Sequence, residues 1–172
     1  NGAGKTTTIN SIMGILEKRE GSIKLGNTET IKMQAREIAR LGIAICPEER
    51  GIFSSLSVEE NLMLPPKIAE GGLEVERIYE LFPNLKERRR SQGTKLSGGE
   101  QQMLAIARIL RTGARFLLLD EPTEGLAPVI VQQIGKTINL LKNDGFTIIL
   151  VDMIPNEELD ANIDKLHAYL GV

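Results

Sequence analysis

The first ten residues, NGAGKTTTIN, constrain the fold more than any other stretch of the sequence. Gly4, Lys5 and Thr6 match the end of the pattern G-x-x-x-x-G-K-[ST], in which successive backbone N–H groups turn inward onto phosphate oxygens at the start of a helix. In this pattern the lysine reaches the β- and γ-phosphates and the hydroxyl of the next residue ligates Mg²⁺. The candidate nucleotide-binding residues are Asn1, Gly2, Ala3, Gly4, Lys5, Thr6 and Thr7. Taken alone, the stretch favours a phosphate-binding loop, with a glycine-rich turn that binds nothing as the alternative.

Helix and strand signals alternate along the rest of the chain, which favours an α/β fold with a mainly parallel sheet. Apolar runs at 43–46, within RFLLLD at 115–120 and within FTIILVD at 146–152 have the composition of strands buried on both faces. All of them are far shorter than the roughly 20 apolar residues that a membrane-spanning helix needs.

The middle of the chain, at about 55–112, is almost entirely helical in pattern. Ser57 and Glu60 form a capping box, and a long helix should run from about Gly98 to Arg111. We therefore predict one domain over residues 1–172, in which a helical subdomain is inserted into an α/β core.

The stretch FLLLDEP, at 116–122, is a second candidate site because a buried strand that ends in two acids is costly unless the acids have a role. Asp120 would hold a Mg²⁺ ion, and Glu121 would polarise an attacking water molecule. The alternative is an ordinary acidic turn after a strand.

A third stretch, LSGGEQ, opens the long helix and offers a second helix terminus suited to an anion. Its residues are Leu96, Ser97, Gly98, Gly99, Glu100 and Gln101. In a symmetric head-to-tail dimer, each chain could present this terminus to the nucleotide held by the other chain. The alternative is a capped helix start with no ligand.

In this order, the three stretches resemble the ATP-binding cassette of ABC transporters over residues 1 to about 151. The resemblance implies a P-loop NTPase core that binds ATP and Mg²⁺, dimerises with a second cassette of the same or a sister chain, and hydrolyses ATP. By position, Glu121 corresponds to the catalytic glutamate and Asp120 to the Walker-B aspartate. Residues 123–128, TEGLAP, take the place of the D-loop at the dimer interface.

The segment CPEERGIFSSLSVEENL, at 46–62, resembles the subgroup of branched-chain amino acid importer ATPases, as does DEPTEGLAP. There a glutamate replaces the usual glutamine of the Q-loop, so Glu48 is expected both to ligate the metal, with Thr6 and Asp120, and to assist catalysis. The resemblance also implies that residues near 48–90 contact membrane permease subunits at the cytoplasmic face of the cell membrane. A periplasmic or extracellular solute-binding protein would be an indirect partner, through the permease. Importers of urea and other amides share these features, so the solute stays open.

Three features depart from the family pattern. The supporting N-terminal strands, which would also supply the residue that stacks on adenine, are expected to be missing because they would precede Asn1. Met153 lies where most cassettes have a switch histidine, and a thioether cannot donate a hydrogen bond to phosphate. The tail at 152–172 does not match the family, although its amphipathic pattern predicts a helix.

Two alternatives to a transporter ATPase remain, a DNA-repair ABC ATPase and a non-catalytic fragment. The net charge of −2 argues against nucleic acid as a partner, and the sequence between Lys5 and Ser97 is too short and lacks the heptads of a DNA-repair ABC ATPase. A fragment that binds nucleotide weakly and does not hydrolyse it also stays open. Cys46 is alone and predicted to be a small buried hydrophobic residue.

Overall fold

The structure, a computed structural model, describes residues 4–152. Its helices are α1 (Lys5–Ile12), α2 (Ala35–Arg40), α3 (Val58–Met63), α4 (Val75–Leu81), α5 (Pro83–Glu87), α6 (Gly98–Leu110) and α7 (Pro128–Asn143), with a 3₁₀ turn at Gly93–Lys95. Its strands are β1 (Lys24–Leu25), β2 (Thr28–Glu29), β3 (Ile43–Cys46), β4 (Phe116–Asp120) and β5 (Thr147–Val151). The predictions for Asn1, Gly2, Ala3, Met153 and the C-terminal helix lie outside the described residues.

The central sheet consists of β3, β4 and β5 in that order, and both strand pairs are parallel. Strand β4 lies in the middle, with Cys46 opposite Leu119 and Asp120 opposite Val151. The prediction of an α/β fold with a parallel sheet is therefore confirmed. Because parallel strands end at the same edge, the residues that follow β3, β4 and β5 meet there, which is where ligands bind in open α/β sheets.

Helix α1 packs on this sheet through Ile9 and Met13, which form one buried cluster with Ile43 and Leu118. The larger core lies around α6, whose buried side chains pack against β3 and against the preceding helices α3 and α5. These contacts fix the beginning of α1, and therefore Lys5, relative to the carboxyl edge of the sheet.

The helical stretch contains the predicted capping box: the Ser57 hydroxyl accepts the Glu60 N–H, and the Glu60 carboxylate accepts the Ser57 N–H at 2.8 Å. The predicted long helix is confirmed but ends at Leu110, and Arg111 is its C-cap. The buried Arg111 guanidinium donates to the carbonyls of Leu62 and Leu73, which ties the segment between them to α6. The division of the chain into a core and a helical subdomain stays a prediction.

The predicted strand within GSIKL is shorter than expected and has a partner that we did not predict. Strands β1 and β2 form an antiparallel hairpin, with Leu25 opposite Thr28. The two residues between them, Gly26 and Asn27, make the turn, and Gly26 has a φ of 57°. The glycine–asparagine pair was the signal for this hairpin.

Among the described residues, no helix combines the length and the apolar character that crossing a membrane would require.

Candidate functional site

The start of α1 has the geometry of an anion-binding helix terminus. Gly4 is its N-cap with a φ of 76°, a left-handed conformation that favours glycine, and no side chain caps the helix. The Thr8 hydroxyl donates back to the Gly4 carbonyl at 2.9 Å, and Thr6 is exposed. The first N–H groups of α1, the positive end of its dipole and the Lys5 ammonium are thus on the same turn.

Asp120 and Glu121 end the central strand, and both are buried. The Glu121 N–H donates to the Val151 carbonyl at 2.7 Å, so the ladder between β4 and β5 continues to this residue. Its φ of 46° is left-handed, a strained conformation for a residue other than glycine. A carboxylate at this position is therefore buried and held by its backbone.

Two of the sequence-predicted residues meet directly at this edge. The Lys5 ammonium lies 3.2 Å from a Glu121 carboxylate oxygen, with only 23% and 7% of the two side chains exposed. The fold thus joins residues that are more than a hundred positions apart in sequence, because the packing of α1 on the sheet brings its first turn to the end of β4.

Glu48 also reaches the site, together with an acid that sequence analysis did not single out. Carboxylate oxygens of Glu48, Glu121 and Glu124 lie within 4.8 Å of one another. A hydrogen bond with Glu121 and the charge of Glu121 raise the pKa of the Glu124 carboxyl, and Glu48 adds to the effect. The signal for Glu124 was its position three residues after Glu121, in the turn that follows a buried strand.

The donor set fits Mg²⁺. Carboxylate, hydroxyl and carbonyl oxygens are the ligands that this hard cation prefers. One oxygen of Asp120, Oδ1, is buried and has no hydrogen-bond partner within the described residues. A buried unpaired carboxylate oxygen is costly unless a ligand satisfies it. Asp120 is thus suited to hold a metal ion, with Thr6 and Glu48 as the other predicted ligands.

The LSGGEQ stretch forms a capped helix start. The Ser97 N–H donates to the Glu100 carboxylate at 2.7 Å, and the Ser97 hydroxyl accepts the Glu100 N–H at 3.3 Å. Ser97 is exposed, whereas Gly99 is buried so closely against Ile130 that a Cβ on Gly99 would lie 2.8 Å from Ile130 Cγ2. Leu96 is buried, and its carbonyl accepts a hydrogen bond from Gln101.

The structure therefore brings Lys5, Glu48, Asp120 and Glu121 to one edge of the sheet, next to the exposed Thr6, whereas the contacts of the LSGGEQ stretch are with other residues. Besides Glu124, sequence analysis missed Arg50, which is in the loop after β3. The Arg50 guanidinium donates to the side chains of Gln101 and Gln102 in α6.

A family model described as ABC transporter matches residues 1–124 of the chain. The high-affinity branched-chain amino acid transport ATP-binding protein BraG of Pseudomonas aeruginosa is 42% identical over 162 residues, covering 92% of this chain and 70% of that protein. The lipopolysaccharide export system ATP-binding protein LptB of Haemophilus influenzae is 36% identical over 166 residues, covering 93% of this chain and 68% of LptB. The crystal structure of an ATP-binding cassette of an ABC transporter in its ADP conformation is 25% identical, has a TM-score of 0.73, and covers 93% of this chain and 70% of that chain.

Proposed function

The chain belongs to the ABC transporter family as an ATP-binding, ATP-hydrolysing subunit, and from that premise we propose that it drives the import of branched-chain or related amino acids through partner permeases. The observation that carries the enzymatic part is the convergence of Lys5, Glu121 and Asp120 at the carboxyl edge of the sheet.

In this proposal the start of α1 binds the polyphosphate. Its N–H groups and dipole favour negative charge, and the Lys5 ammonium neutralises the β- and γ-phosphates. Residues Asn1, Gly2, Ala3 and Thr7 complete the loop by sequence. In this proposal the Lys5 ammonium leaves the Glu121 carboxylate in order to reach a phosphate. Nucleotide binding therefore releases the Glu121 carboxylate.

Glu121 is the proposed catalytic base. Its carboxylate is buried, so a charge there acts in a poorly solvated environment, and its backbone is anchored to Val151. Freed from Lys5, it can accept a proton from the water molecule that attacks the γ-phosphate. Glu48, at the end of the neighbouring strand, is close enough to share the ordering of that water.

Mg²⁺ would supply charge neutralisation on the phosphate oxygens. Asp120, with its unpaired buried oxygen, is the strongest proposed ligand, and Thr6 and Glu48 complete the set. The three carboxylates of Glu48, Glu121 and Glu124 repel one another without a cation, which is a further reason for a cation to be favourable at this edge.

The exposed start of α6 is proposed to serve the nucleotide of a second cassette. Ser97 is exposed, and Gly98 beside it is half-buried and carries no side chain. Leu96, Glu100 and Gln101 hold this terminus in place by the contacts described above. The proposed assembly is a dimer of two cassettes, each completing the other's site, with no role for nucleic acid.

A groove of about 230 Å³ is the proposed contact for the permease. It lies between the loop after β3 and α6, and Pro47, Pro65 and Arg108 are among its lining residues. Arg108 covers the Phe53 ring at 4.8 Å, and that ring is 48% exposed. Docking here would hold the subunit at the cytoplasmic face of the membrane, with a solute-binding protein contacting only the permease.

The proposal for the solute is supported by the similarity to BraG, which exceeds the similarity to LptB. Lipopolysaccharide export is the second candidate, because LptB is also similar over nearly the whole chain. Uptake of labelled leucine, isoleucine and valine should be measured in a deletion strain of the source organism, complemented with the wild-type gene or with Glu121→Gln. Uptake restored only by the wild type supports import, and unchanged uptake in the deletion strain refutes it.

Steady-state ATP hydrolysis tests the enzymatic proposal. The wild-type protein should release phosphate from MgATP, and Glu121→Gln should reduce kcat by about 10²-fold or more, because a general base contributes on the order of 10²–10⁴. Glu124→Gln, in the same acidic cluster, is the matched control and should retain most of the rate. Equal rates in the wild type and Glu121→Gln would refute the assignment of Glu121.

A further inference from the structure

The loop after β3 holds an arginine in a left-handed backbone conformation, which is unfavourable for residues other than glycine. Arg50 has a φ of 63° and is followed by Gly51 at 60°, and the Arg50 N–H closes a turn onto the Pro47 carbonyl at 2.9 Å. Left-handed backbone conformations are strained for residues with a side chain, and such strain persists where the surrounding contacts enforce it. The strained backbone at Arg50 therefore indicates that contacts of its side chain hold the turn.

That side chain reaches α6 and binds two consecutive glutamines. Arg50 Nε donates to Gln102 Oε1 at 3.2 Å, and Arg50 Nη1 donates to Gln101 Oε1 at 3.3 Å. Hydrogen bonds from a charged donor are stronger than those between neutral groups. Arg50 therefore joins the loop that carries Glu48 to the first turns of α6.

The two glutamines are themselves oriented by other contacts. The Gln101 amide donates to the carbonyls of Gly93 and Leu96, each at 3.2 Å, and Leu96 directly precedes Ser97. The Gln102 amide, which is buried, lies 3.7 Å from the Cys46 sulfur at the end of β3. Both amide oxygens are thus turned toward Arg50.

The guanidinium also lies directly over the LSGGEQ stretch. A Cβ on Gly98 would be 3.6 Å from Arg50 Nη1 and 3.7 Å from Nη2. Two residues earlier in the same loop, Glu48 contributes to the acidic cluster with Glu121. The Arg50 side chain therefore contacts the start of α6, and Glu48 lies in the same backbone turn as Arg50.

From these contacts we propose that Arg50 is a positioning residue that fixes the start of α6 relative to the Glu48 loop, so that one cassette presents its LSGGEQ terminus correctly to the nucleotide of the other. This inference rests on the proposed function. It predicts that Arg50 acts on turnover and on nucleotide-driven dimerisation, but not on nucleotide binding at Lys5 of the same chain.

The first test is structural and independent of activity. Hydrogen exchange should be compared between wild type, Arg50→Met and Arg50→Lys, with the exposed neighbour Glu49→Gln as the matched control. Arg50→Met should speed exchange in both 47–53 and 93–102, Arg50→Lys should restore part of the protection, and Glu49→Gln should match the wild type. Unchanged exchange in 93–102 of Arg50→Met overturns the inference.

The second test separates turnover from binding. For Arg50→Met, kcat should fall about tenfold while KM and the Kd for ADP stay within about twofold, because misplacing a reacting group costs rate rather than ground-state binding. ATP-driven dimerisation, followed by light scattering in a Glu121→Gln background, should need higher protein concentration. Normal kcat and dimerisation, or an equal loss of ADP binding, overturn the inference.

If Arg50→Met does not fold, Arg50→Gly removes the same side chain and relieves the strained φ, and it must show the same pattern of exchange and kcat. If the wild-type protein does not hydrolyse ATP, the proposed function fails, and the exchange data alone then decide whether Arg50 links the two segments.

Discussion

The ion pair between Lys5 and Glu121 leads to a prediction about nucleotide affinity. The same lysine is needed for the phosphates, so the pair competes with nucleotide. Replacing Glu121 by Gln removes the negative charge while keeping the size of the side chain. We therefore expect Glu121→Gln to bind ADP more tightly than the wild type does, although it loses hydrolysis.

The size of the effect follows from the geometry. Unit charges 3.2 Å apart attract by about 5 kcal/mol at an effective dielectric constant near 20. Desolvation of the two groups offsets much of this, and a glutamine oxygen still accepts a hydrogen bond from Lys5, so the net change is about 1 kcal/mol. That corresponds to a Kd for ADP about fivefold lower.

Calorimetric titration with ADP measures this change without any contribution from hydrolysis. It should be run with and without Mg²⁺, because Glu121 lies beside the proposed metal ligand Asp120. Glu124→Gln removes one charge from the same cluster but leaves the Lys5 pair in place, so the difference between the two variants isolates the pair. A Glu121→Gln affinity equal to that of the wild type, or of Glu124→Gln, would refute the reasoning.

Three further predictions concern the caps, the packing of α6 and the buried thiol. Ser57 and Ser97 each begin a capping box, so Ser57→Ala and Ser97→Ala should each lower the free energy of unfolding by about 1 kcal/mol in urea titrations. Only Ser97→Ala should also abolish ATP-driven dimerisation. A loss of dimerisation in both variants would count against the proposed role of the LSGGEQ stretch. Gly99→Ala should destabilise the fold by about 1–3 kcal/mol because its Cβ would overlap Ile130, and adding Ile130→Ala should recover part of the loss in melting temperature; a neutral Gly99→Ala contradicts the packing. Burial raises the pKa of the Cys46 thiol from 9.0 to about 12, so the native protein should not react with a thiol reagent at pH 8. The contribution of the protonated thiol to the free energy of unfolding is fully present below pH 9 and should be lost as the pH rises toward 12. Cys46→Ala should therefore show a shallower fall in stability over that range.

The local elements follow from short-range patterns of residues. A capping box joins residues three apart, so Ser57 with Glu60 and Ser97 with Glu100 could be predicted from spacing alone. The apolar runs of β3, β4 and β5 predicted buried parallel strands, because strands covered on both faces are typically continuous apolar runs of this length. The hairpin of β1 and β2 was missed because its strands are two residues each, too short to show alternation.

Which of these elements meet depends on how the chain packs. The distance between Lys5 and Glu121 depends on how α1 packs on the sheet, and no pattern in the sequence records that packing. The approach of Glu124 to Glu48 depends on the order of the strands, and the reach of Arg50 to Gln101 depends on a strained turn and a side-chain conformation. Sequence spacing fixes contacts within a few residues, whereas contacts between distant residues form only when the core of the protein has set the relative positions of its helices and strands.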